Sequence, residues 1–471
     1  MIHNSLFNRS SGSISILILI FGIVFSVAIS GLVVMAATQY TSSIRTEAFE
    51  QSLSIAQAGA EYYRWHLTHA PTDYKDGTTN PGPYVHQLTD AYGNTTGTYS
   101  LTISPPATGS STITISSTGW INAHPDIKRT VVATYGIPPL VKYAFVQNAN
   151  MWIGHKTTVN GPLFSNGGIR MDGTNTSTVQ SAKDTYTCGT DTGCDPSETK
   201  PGIWGNGGPA NLWQFPVGSI DFNKIVVDFN TLQKTAQTSG TYLTNSGAYG
   251  YHLIFTSDGN VSVKKVTTAK NKKGWSVEGG CENLYQEIQK EDAVTTYSLA
   301  QKSVIFAEDN LWVDGIVKGK ITVVAAKFPI DLNAMNIWVN NNLTYATQDG
   351  TNATGLIAQN NIYFPASVPQ DFVIHGALLA QKGRILRHNY KYKDCNMEND
   401  AVRQTLTILG SIISNQKSYW NYGTGLGEGD TTGPVSGFGN RTLIYDPHLE
   451  ALPPPYFPVQ GDYQFLSWEE K

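Results

Sequence analysis

The sequence predicts a mainly β protein. It combines a long N-terminal α-helix, transmembrane and then amphipathic, with a small antiparallel sheet and a right-handed parallel β-helix, or solenoid, that carries a large insertion. A stretch without charge runs from Ser13 to Ala37, strand-like alternation follows it, and short apolar segments with Asn and Gly then recur. The predicted parts are a leader at 1–12, the helix at 13–70, the small sheet at 71–137, and the β-helix at 138–471 with its insertion at about 172–300 and a proline-rich tail.

The composition favours an extracellular protein over a nucleic-acid-binding one. Charged residues make up 14% of the 471 residues, against roughly 25% in ordinary soluble domains. The net charge is −4. The longest basic run, Lys270–Lys273, contains Asn271 and is interpreted as a solvated loop. No nucleic-acid partner is therefore predicted.

The uncharged stretch is long enough to cross a membrane. About 25 residues at 1.5 Å each give roughly 37 Å, and a bilayer core is about 30 Å thick. A cleaved secretory signal would have a shorter apolar region. Because the large polar part follows this stretch, we expect a single pass in the cytoplasmic membrane with the C-terminal part outside the cytoplasm.

The helical pattern continues beyond the apolar stretch. Apolar residues recur at three- and four-residue steps, at Phe49, Leu53, Ala56, Ala60, Tyr63 and Leu67. Pro71 and Gly77 end the pattern. The prediction is one helix of about 55 residues, and the alternative is a transmembrane anchor followed by a separate core helix.

Two segments carry a resemblance to a known family. A short polar leader ending in Gly12 precedes the apolar stretch, and the segment Ser52–Trp65 reads SLSIAQAGAEYYRW. Together they resemble the N-terminal region of PilX-type minor pilins and related pseudopilins. The small-residue AxAGxE signature of that family matches this sequence at Ala56, Ala58, Gly59 and Glu61.

The resemblance implies processing and assembly. A prepilin peptidase would cut between Gly12 and Ser13, and the helix would then pack with other pilins or pseudopilins in a filament. Two positions depart from the family pattern: Ser13 replaces the usual aromatic residue or Met, and Leu17 stands where most pilins carry Glu. Certain tip pseudopilins share the second departure, which implies a tip or initiating subunit.

Three runs of alternating residues predict the small sheet: Tyr99–Ser104, Thr112–Ser116 and Arg129–Gly136. Such a sheet packed on the helix resembles the pilin headpiece. Ile137-Pro138-Pro139 is interpreted as a linker.

Beyond this linker a nine-residue pattern occurs three times, as FVQNANMWI (Phe145–Ile153), IFAEDNLWV (Ile305–Val313) and LIAQNNIYF (Leu356–Phe364). Stacked coils of a β-helix explain it, because each coil buries apolar residues against its neighbours. The sixth-position residues Asn150, Asn310 and Asn361 are interpreted as corner residues that form side-chain ladders. The aromatic residues Trp152, Trp312 and Tyr363 either stack as structural residues or form an exposed stripe for sugars.

The predicted insertion contains three of the four cysteines, and a helix is expected within Asp221–Thr235. An even number of cysteines outside the cytoplasm favours disulfides, with three possible connectivities. Cys188 and Cys194 flank a Gly-rich turn and could close a small loop, in which case Cys281 and Cys395 form a long-range bridge. A metal site is the alternative, but the CxxC pairs that it needs are missing. The tail Tyr445–Pro458 is expected to run along the domain as a cap.

No catalytic, metal or cofactor site is predicted. GLGEG at Gly425–Gly429 is interpreted as a loop, and the segments Asp172–Asn175 and Asp191–Asp195 lack the EF-hand spacing that calcium binding would favour. Parallel β-helices can be polysaccharide lyases or hydrolases, which need converging carboxylates or a basic residue. The candidates for that role are interpreted as a solvated face; they are Glu308, Asp309, Asp314 and Lys318.

The sequence therefore predicts a minor pilin-like subunit of a type IV pilus or type II secretion-like filament, placed at the tip and acting in assembly or adhesion. It is not expected to be an enzyme. Its expected partners are the membrane, prepilin peptidase, other pilins and a possible surface ligand or glycan, and its expected location after assembly is the extracellular pilus. The alternative is a membrane-anchored carbohydrate-binding or polysaccharide-degrading β-helix protein.

Overall fold

The computed structural model describes residues 12–106, 112–137, 140–222, 228–423, 434–459 and 463–471. Contacts divide the chain into two compact units: the first is Met1–Pro106, Thr112–Gly136 and Asp462–Lys471, and the second is Ala107–Ser111 and Ile137–Gly461. Most of the leader, Pro138-Pro139 and the GLGEG loop lie outside the described residues.

The helices are α1 Gly12–His69, α2 Phe229–Thr238 and α3 His448–Ala451, with 3-10 helices at Leu140–Lys142, Thr190–Thr192, Ala210–Leu212 and Ile330–Leu332. The strands are β1 Tyr84–Thr89, β2 Thr95–Ser104, β3 Thr112–Ile121, β4 Arg129–Gly136, β5 Phe145–Gln147, β6 Met151–Ile153, β7 Thr157–Asn160, β8 Leu163–Ser165, β9 Ile169–Met171, β10 Thr174–Asn175, β11 Val179–Ser181, β12 Thr185–Cys188, β13 Glu198–Pro201, β14 Ile203–Trp204, β15 Trp213–Gln214, β16 Thr241–Leu243, β17 Gly250–Thr256, β18 Asn260–Ser276, β19 Gly280–Ser298, β20 Val304–Ala307, β21 Leu311–Val317, β22 Lys320–Ala325, β23 Ile337–Tyr345, β24 Ala353–Ala358, β25 Ile362–Tyr363, β26 Asp371–Ala380, β27 Ile385–Leu386, β28 Lys391–Tyr392, β29 Asn396–Met397, β30 Val402–Ser414, β31 Gly437–Tyr445 and β32 Gln464–Glu470.

In the first unit, the helix α1 packs on an antiparallel sheet in the order β1-β2-β3-β4-β32. The helix is continuous over 58 residues, so the predicted single helix is confirmed and the separate core helix is not what forms. It ends two residues before Pro71, as expected, because Pro disfavours helical geometry in the residue that precedes it. The three predicted strands are present, and β1 is a further strand that was not predicted.

The last strand of the chain belongs to the first unit. Its register pairs Gln464 with Gly136 and Glu470 with Val131 on β4. The prediction assigned all of 138–471 to the second domain, whereas the structure places β32 in the first unit. The pairing covers β4, which would otherwise be an unpaired edge strand. The second unit is therefore inserted between the fourth and fifth strands of the small sheet.

Ten strands of the second unit form one parallel ladder, in the spatial order β16, β20, β22, β24, β26, β30, β5, β8, β11, β15. We call it the first ladder. Its spatial order is not the chain order: β5, which opens the unit, lies beside β30, near the unit's end. The chain thus enters and leaves this ladder at its middle.

Two further parallel ladders accompany it. One runs β17, β21, β23, β25, β27, and we call it the second ladder. The other runs β26, β30, β31, β7, β10. However, β18 pairs antiparallel with both β17 and β19, so the largest sheet is mixed. The predicted right-handed parallel β-helix is therefore not confirmed, and the second unit is described as mainly β with extensive parallel pairing.

The first ladder is buried on both faces. One set of alternate residues, including Ile305 and Leu378, lies in an inner core. The other set, including Phe306 and Leu379, packs under a covering layer that contains α2 and residues of the proline-rich tail. Double burial explains why these strands have continuous apolar runs in the sequence. The tail contributes Leu449 and Phe457 to this layer, which fits its predicted role as a cap.

Parallel strand pairing continues through much of the predicted insertion at about 172–300. Strands β10, β11, β14 and β15 continue the parallel pairing on one side, and β16 and β17 continue it on the other. The hairpins β12–β13 and β18–β19 extend away from this parallel pairing. These strands are too short for their apolar residues to show a clear period in the sequence. The expected helix at Asp221–Thr235 is α2, shifted to Phe229–Thr238, and residues 223–227 lie outside the description.

All four cysteines form disulfides, Cys188 with Cys194 and Cys281 with Cys395. The Cα atoms are 5.5 and 5.4 Å apart, within the usual range for a disulfide. The metal-site alternative is thereby excluded for these cysteines. The first bond closes a small loop, and the second ties β19 to the loop between β28 and β29.

Candidate functional site

The first half of α1 has apolar side chains that no other part of the chain buries. The helix is long and apolar enough to cross a membrane, and its most apolar window is 0% buried within the chain. Leu17, in place of the usual Glu, is 56% exposed. An exposed apolar surface of this size is a site for lipid or for another apolar surface. The backbone of Gly12 and Ser13 begins the helix, but their side chains lie outside the described residues.

The second half of α1 packs on β3 at very close range. Ala56 and Gly59 are buried there. A Cβ atom added to Gly59 would lie 2.7 Å from Cδ2 of Tyr99, and one added to Gly119 would lie 2.6 Å from the backbone oxygen of Ser52. Gly59 of the signature and Gly119 on β3 are therefore required, because sheet side chains crowd the first and the helix backbone crowds the second. The predicted stripe is buried from Ala56 onwards, whereas Phe49 lies 44% exposed.

The other signature residues lie at the border of this contact. Ala58 is half-buried and Glu61 is exposed. The Glu61 carboxylate accepts a hydrogen bond from Nε of Arg64 at 2.7 Å and one from the Tyr135 hydroxyl, on β4, at 3.3 Å. Glu61 thus links the helix to β4 of the sheet.

A turn closed by Asp73 follows the helix. The Asp73 carboxylate accepts hydrogen bonds from the backbone N–H groups of Lys75 and Gly77 and lies 3.0 Å from Nε2 of His66. The backbone N–H of Lys75 is the largest of the causes that hold the pKa of Asp73 below its ordinary value. These contacts position the chain for its entry into β1.

The candidate carboxylates of the second unit do not converge. Glu308 accepts a hydrogen bond from Gln233, Asp309 from Ser246, and Asp314 from Asn340. Lys318 is exposed. Among the described residues, no hydrogen bond joins two of these four side chains, and each carboxylate has a local structural partner instead.

The two predicted oxygen-rich segments have other partners as well. The Asp172 carboxylate accepts hydrogen bonds from Nε of Arg170 at 2.7 Å and Nε1 of Trp152 at 2.8 Å. Asp191 lies 3.9 Å from Nζ of Lys417. Within the described residues, no group of three or more His, Cys, Asp or Glu side chains is arranged to hold a metal ion.

The three asparagines predicted as corner residues bind backbone groups of other strands and loops. Oδ1 of Asn150 accepts the backbone N–H of Gly168, Oδ1 of Asn310 that of Asn336, and Oδ1 of Asn361 that of Arg384. Each side-chain amide thus satisfies a backbone donor of a distant part of the chain. The hydrogen bond between Asn310 and Asn336 points to a further copy of the repeat that was not predicted from the sequence. Asn336-Ile337-Trp338 has the same Asn-apolar-aromatic order.

The aromatic residues of the repeats separate into two places. Trp152 packs with Arg170, whose guanidinium carbon lies 4.1 Å from the ring centroid. Trp312, Trp338 and Tyr363 are register partners on the second ladder. They border a cavity of about 280 Å³ beneath the β18–β19 hairpin.

Comparison with protein-family models finds no match, and comparison with curated proteins finds none. Among solved structures, the chain is similar to the competence-associated pilin ComZ from Thermus thermophilus. The similarity covers 90% of this chain and 98% of that chain at 15% identity, with a TM-score of 0.31. This score is too low to establish a common fold, and no conclusion is drawn from it.

Proposed function

We propose that this chain is a membrane-anchored, minor pilin-like subunit of a type IV pilus or type II secretion-like filament. The observation that carries the proposal is the division of one continuous helix into two surfaces. The first half exposes apolar side chains all round, and the second half packs on the chain's own sheet through Ala56 and Gly59. The exposed apolar surface of this half must be covered by lipid before assembly and by neighbouring helices after assembly.

The residue at position 17 supports a specialised place in such a filament. A buried Glu would need an opposite charge beside it, because an unpaired buried charge costs several kcal/mol. Leu17 has no such requirement. A subunit that needs no charged neighbour suits a tip or initiating position, where the helix is covered on fewer sides.

The size of the second unit supports the same place. It spans Ile137–Gly461, whereas ordinary domains contain about 100–150 residues. Such bulk is easier to accommodate at a filament end than along a helical shaft. We infer that its parallel ladders are the faces of a right-handed β-helix, displayed outside the cell for assembly or adhesion. The carboxylates of this unit serve its structure, and the role is not enzymatic.

The test is co-expression of the full chain with a prepilin peptidase, followed by mass spectrometry of the product. We expect a mature N-terminus at Ser13 and expect Gly12→Val to abolish the cut. Gly22→Val is the matched control, because Gly22 lies in the same helix with no other atom near its Cβ position, and it should be processed normally.

The second readout is the sheared-filament fraction of cells that also express the other filament subunits. The processed chain should occur there at low copy, and Gly12→Val should be missing from it. An intact Met1 in the presence of active peptidase, or absence of the processed chain from filaments, would contradict the proposal.

A further inference from the structure

The cavity beneath the β18–β19 hairpin has the chemistry of a ligand site. Its volume of about 280 Å³ approaches the lower limit of about 300 Å³ for small-molecule pockets. Five aromatic side chains line it: Trp312, Trp338 and Tyr363 from the second ladder, Tyr249 from the residue before β17, and Tyr285 from β19 of the hairpin. We call this cavity the aromatic groove.

The aromatic residues of the second ladder that line the groove make different contacts. Register partners on a parallel ladder are about 4.8 Å apart and can stack, as Trp338 and Tyr363 do with ring centroids 4.2 Å apart. Trp312 instead donates its indole N–H to the backbone oxygen of Gln286 on β19, at 2.9 Å. Tyr363 covers one face of the Trp338 ring. Trp338 and Trp312 both line the cavity.

The residue before β17 and the strand β19 of the hairpin supply the opposite wall. Tyr249 and Tyr285 pack with ring centroids 5.4 Å apart, and Tyr285 remains 48% exposed. The disulfide between Cys281 and Cys395 ties the hairpin down four residues from Tyr285. Both aromatic walls are therefore held in place without a ligand, which lowers the ordering cost of binding.

Asparagine side chains add hydrogen-bonding groups to the same cavity. Asn283, Asn310 and Asn336 line it. The Oδ1 atoms of Asn283 and Asn310 accept bonds from Asn271 and Asn336. Within the described residues, the Nδ2 groups of Asn283 and Asn310 have no acceptor, and they are available as donors to a ligand oxygen.

The lining excludes a charged ligand. None of the residues that line the groove is Asp, Glu, Lys, Arg or His. Burial raises the pKa of Tyr363 to about 12, so its hydroxyl is neutral. A polyanion would find no cation in the groove, whereas a neutral molecule with apolar faces and hydroxyl groups would match both the rings and the amides.

We propose that the aromatic groove binds a neutral saccharide chain. Pyranose rings would lie against Trp338 and Tyr285, and their hydroxyl groups would accept hydrogen bonds from Asn283 and Asn310. This site goes beyond the proposed filament role and does not depend on it, since the groove is complete within the second unit.

Isothermal titration of the purified full-length chain tests the proposal, in a detergent without a sugar headgroup so that the detergent does not compete. The probes are maltohexaose, cellohexaose and the hexamer of N-acetylglucosamine. A galacturonate hexamer and a short oligothymidylate are the charged comparisons. We expect at least one neutral hexasaccharide to bind and both charged probes to fail.

Two exposed lining residues provide variants that should fold normally. Tyr285→Ala and Asn283→Ala should each raise the Kd for the saccharide about fivefold or more, which is the loss expected when a side chain that contacts the ligand is removed. The matched controls are Tyr92→Ala, at a tyrosine 92% exposed in the first unit, and Asn341→Ala, at an exposed asparagine outside the groove. Both should bind as the parent does.

Several results would overturn the saccharide site. They are no binding of any neutral hexasaccharide, binding of a charged probe alone, or unchanged affinity in both groove variants. Because the assay needs neither peptidase nor filament, its failure is separate from failure of the proposed filament function.

Discussion

His252 joins three elements of the second unit through one buried side chain. Its Nδ1 lies 2.8 Å from Glu291 on β19, and its Nε2 lies 3.1 Å from Asp314 on β21. Lys264 on β18 also contacts Glu291. Burial lowers the pKa of His252, but hydrogen bonds and charges from Asp314 and Glu291 outweigh it, so the pKa lies above 6.5. The pKa of Glu291 is lowered: burial opposes this, and the bonds from Lys264 and His252 prevail.

These two shifts predict how stability depends on pH. A raised histidine pKa stabilises the fold below its unfolded value of 6.5, and the gain is lost as pH rises through the folded pKa. A lowered glutamate pKa stabilises above its unfolded value of 4.5, and that gain is lost as pH falls. The cluster should therefore contribute most between these two values. Thermal unfolding of the full chain across this range and into mild alkali measures it.

The variant His252→Gln separates this effect from the rest of the chain. It should lower stability by about 1–3 kcal/mol on the acid side of neutrality, since buried carboxylates lose a charged donor, and by less in alkali. The parent should thus lose more stability than the variant as pH rises past neutrality. Parallel pH profiles for the two proteins would rule out His252 as the titrating group.

At the scale of elements, the β18–β19 hairpin depends on its disulfide. The strands have 17 and 19 residues, and β18 joins the ladders by pairing with β17. The Cys281–Cys395 bond fixes the far part of the hairpin, near the aromatic groove. A covalent tie is useful there because a two-stranded ribbon alone is marginally stable in water.

The two disulfides should differ in their contributions to stability. Loop entropy predicts about 5 kcal/mol for the bond that spans 114 residues and about 2 kcal/mol for the bond that spans 6. Thermal unfolding should show the larger loss for Cys281→Ser with Cys395→Ser and the smaller for Cys188→Ser with Cys194→Ser. Equal losses in the two double variants would contradict this account.

Periodicity predicted the elements better than their partners. The stripe around Ala56 and Ala60 predicted the packed half of α1, and the windows at Phe145, Ile305 and Leu356 predicted stacked strands. The spatial order was not predictable, because strands with the same apolar pattern can pair in many orders. The sequence therefore did not reveal that β5 lies beside β30.

The groove was predictable only in part, for a related reason. Trp312 and Tyr363 stood out within the repeats, and the same pattern at Asn336 could have added Trp338. Tyr249 and Tyr285 occur in no repeat: Tyr249 directly precedes β17, and Tyr285 reaches the ladder on the antiparallel hairpin. A site built from segments so far apart in sequence leaves no local pattern.

At the scale of the whole molecule, each unit brings its own chain ends together. Gly136 and Gln464 are register partners on β4 and β32, so the chain leaves and re-enters the small sheet at adjacent points. In the second unit, the backbone N–H of Leu140 donates to the backbone oxygen of Pro458 at 3.4 Å, close to that unit's own entry and exit. This arrangement allows a large unit to be inserted without opening the sheet, as tolerated domain insertions generally require.

The same adjacency predicts that the first unit can fold without the second. Directly opposed strand ends can be joined by a two-residue Asn-Gly turn, so replacing 137–463 with Asn-Gly should give a chain with α1 and all five strands of the sheet. Phe465 should still pack edge-on against Tyr135, whose centroid is 5.9 Å away in the parent. In detergent, hydrogen exchange should show protected amides in β3 and β4.

The matched control ends at Gly136 and lacks β32, and its β4 amides should exchange faster because that strand becomes an edge. If both shortened chains exchange alike, or the joined chain is unfolded, β32 is not the strand that completes the sheet.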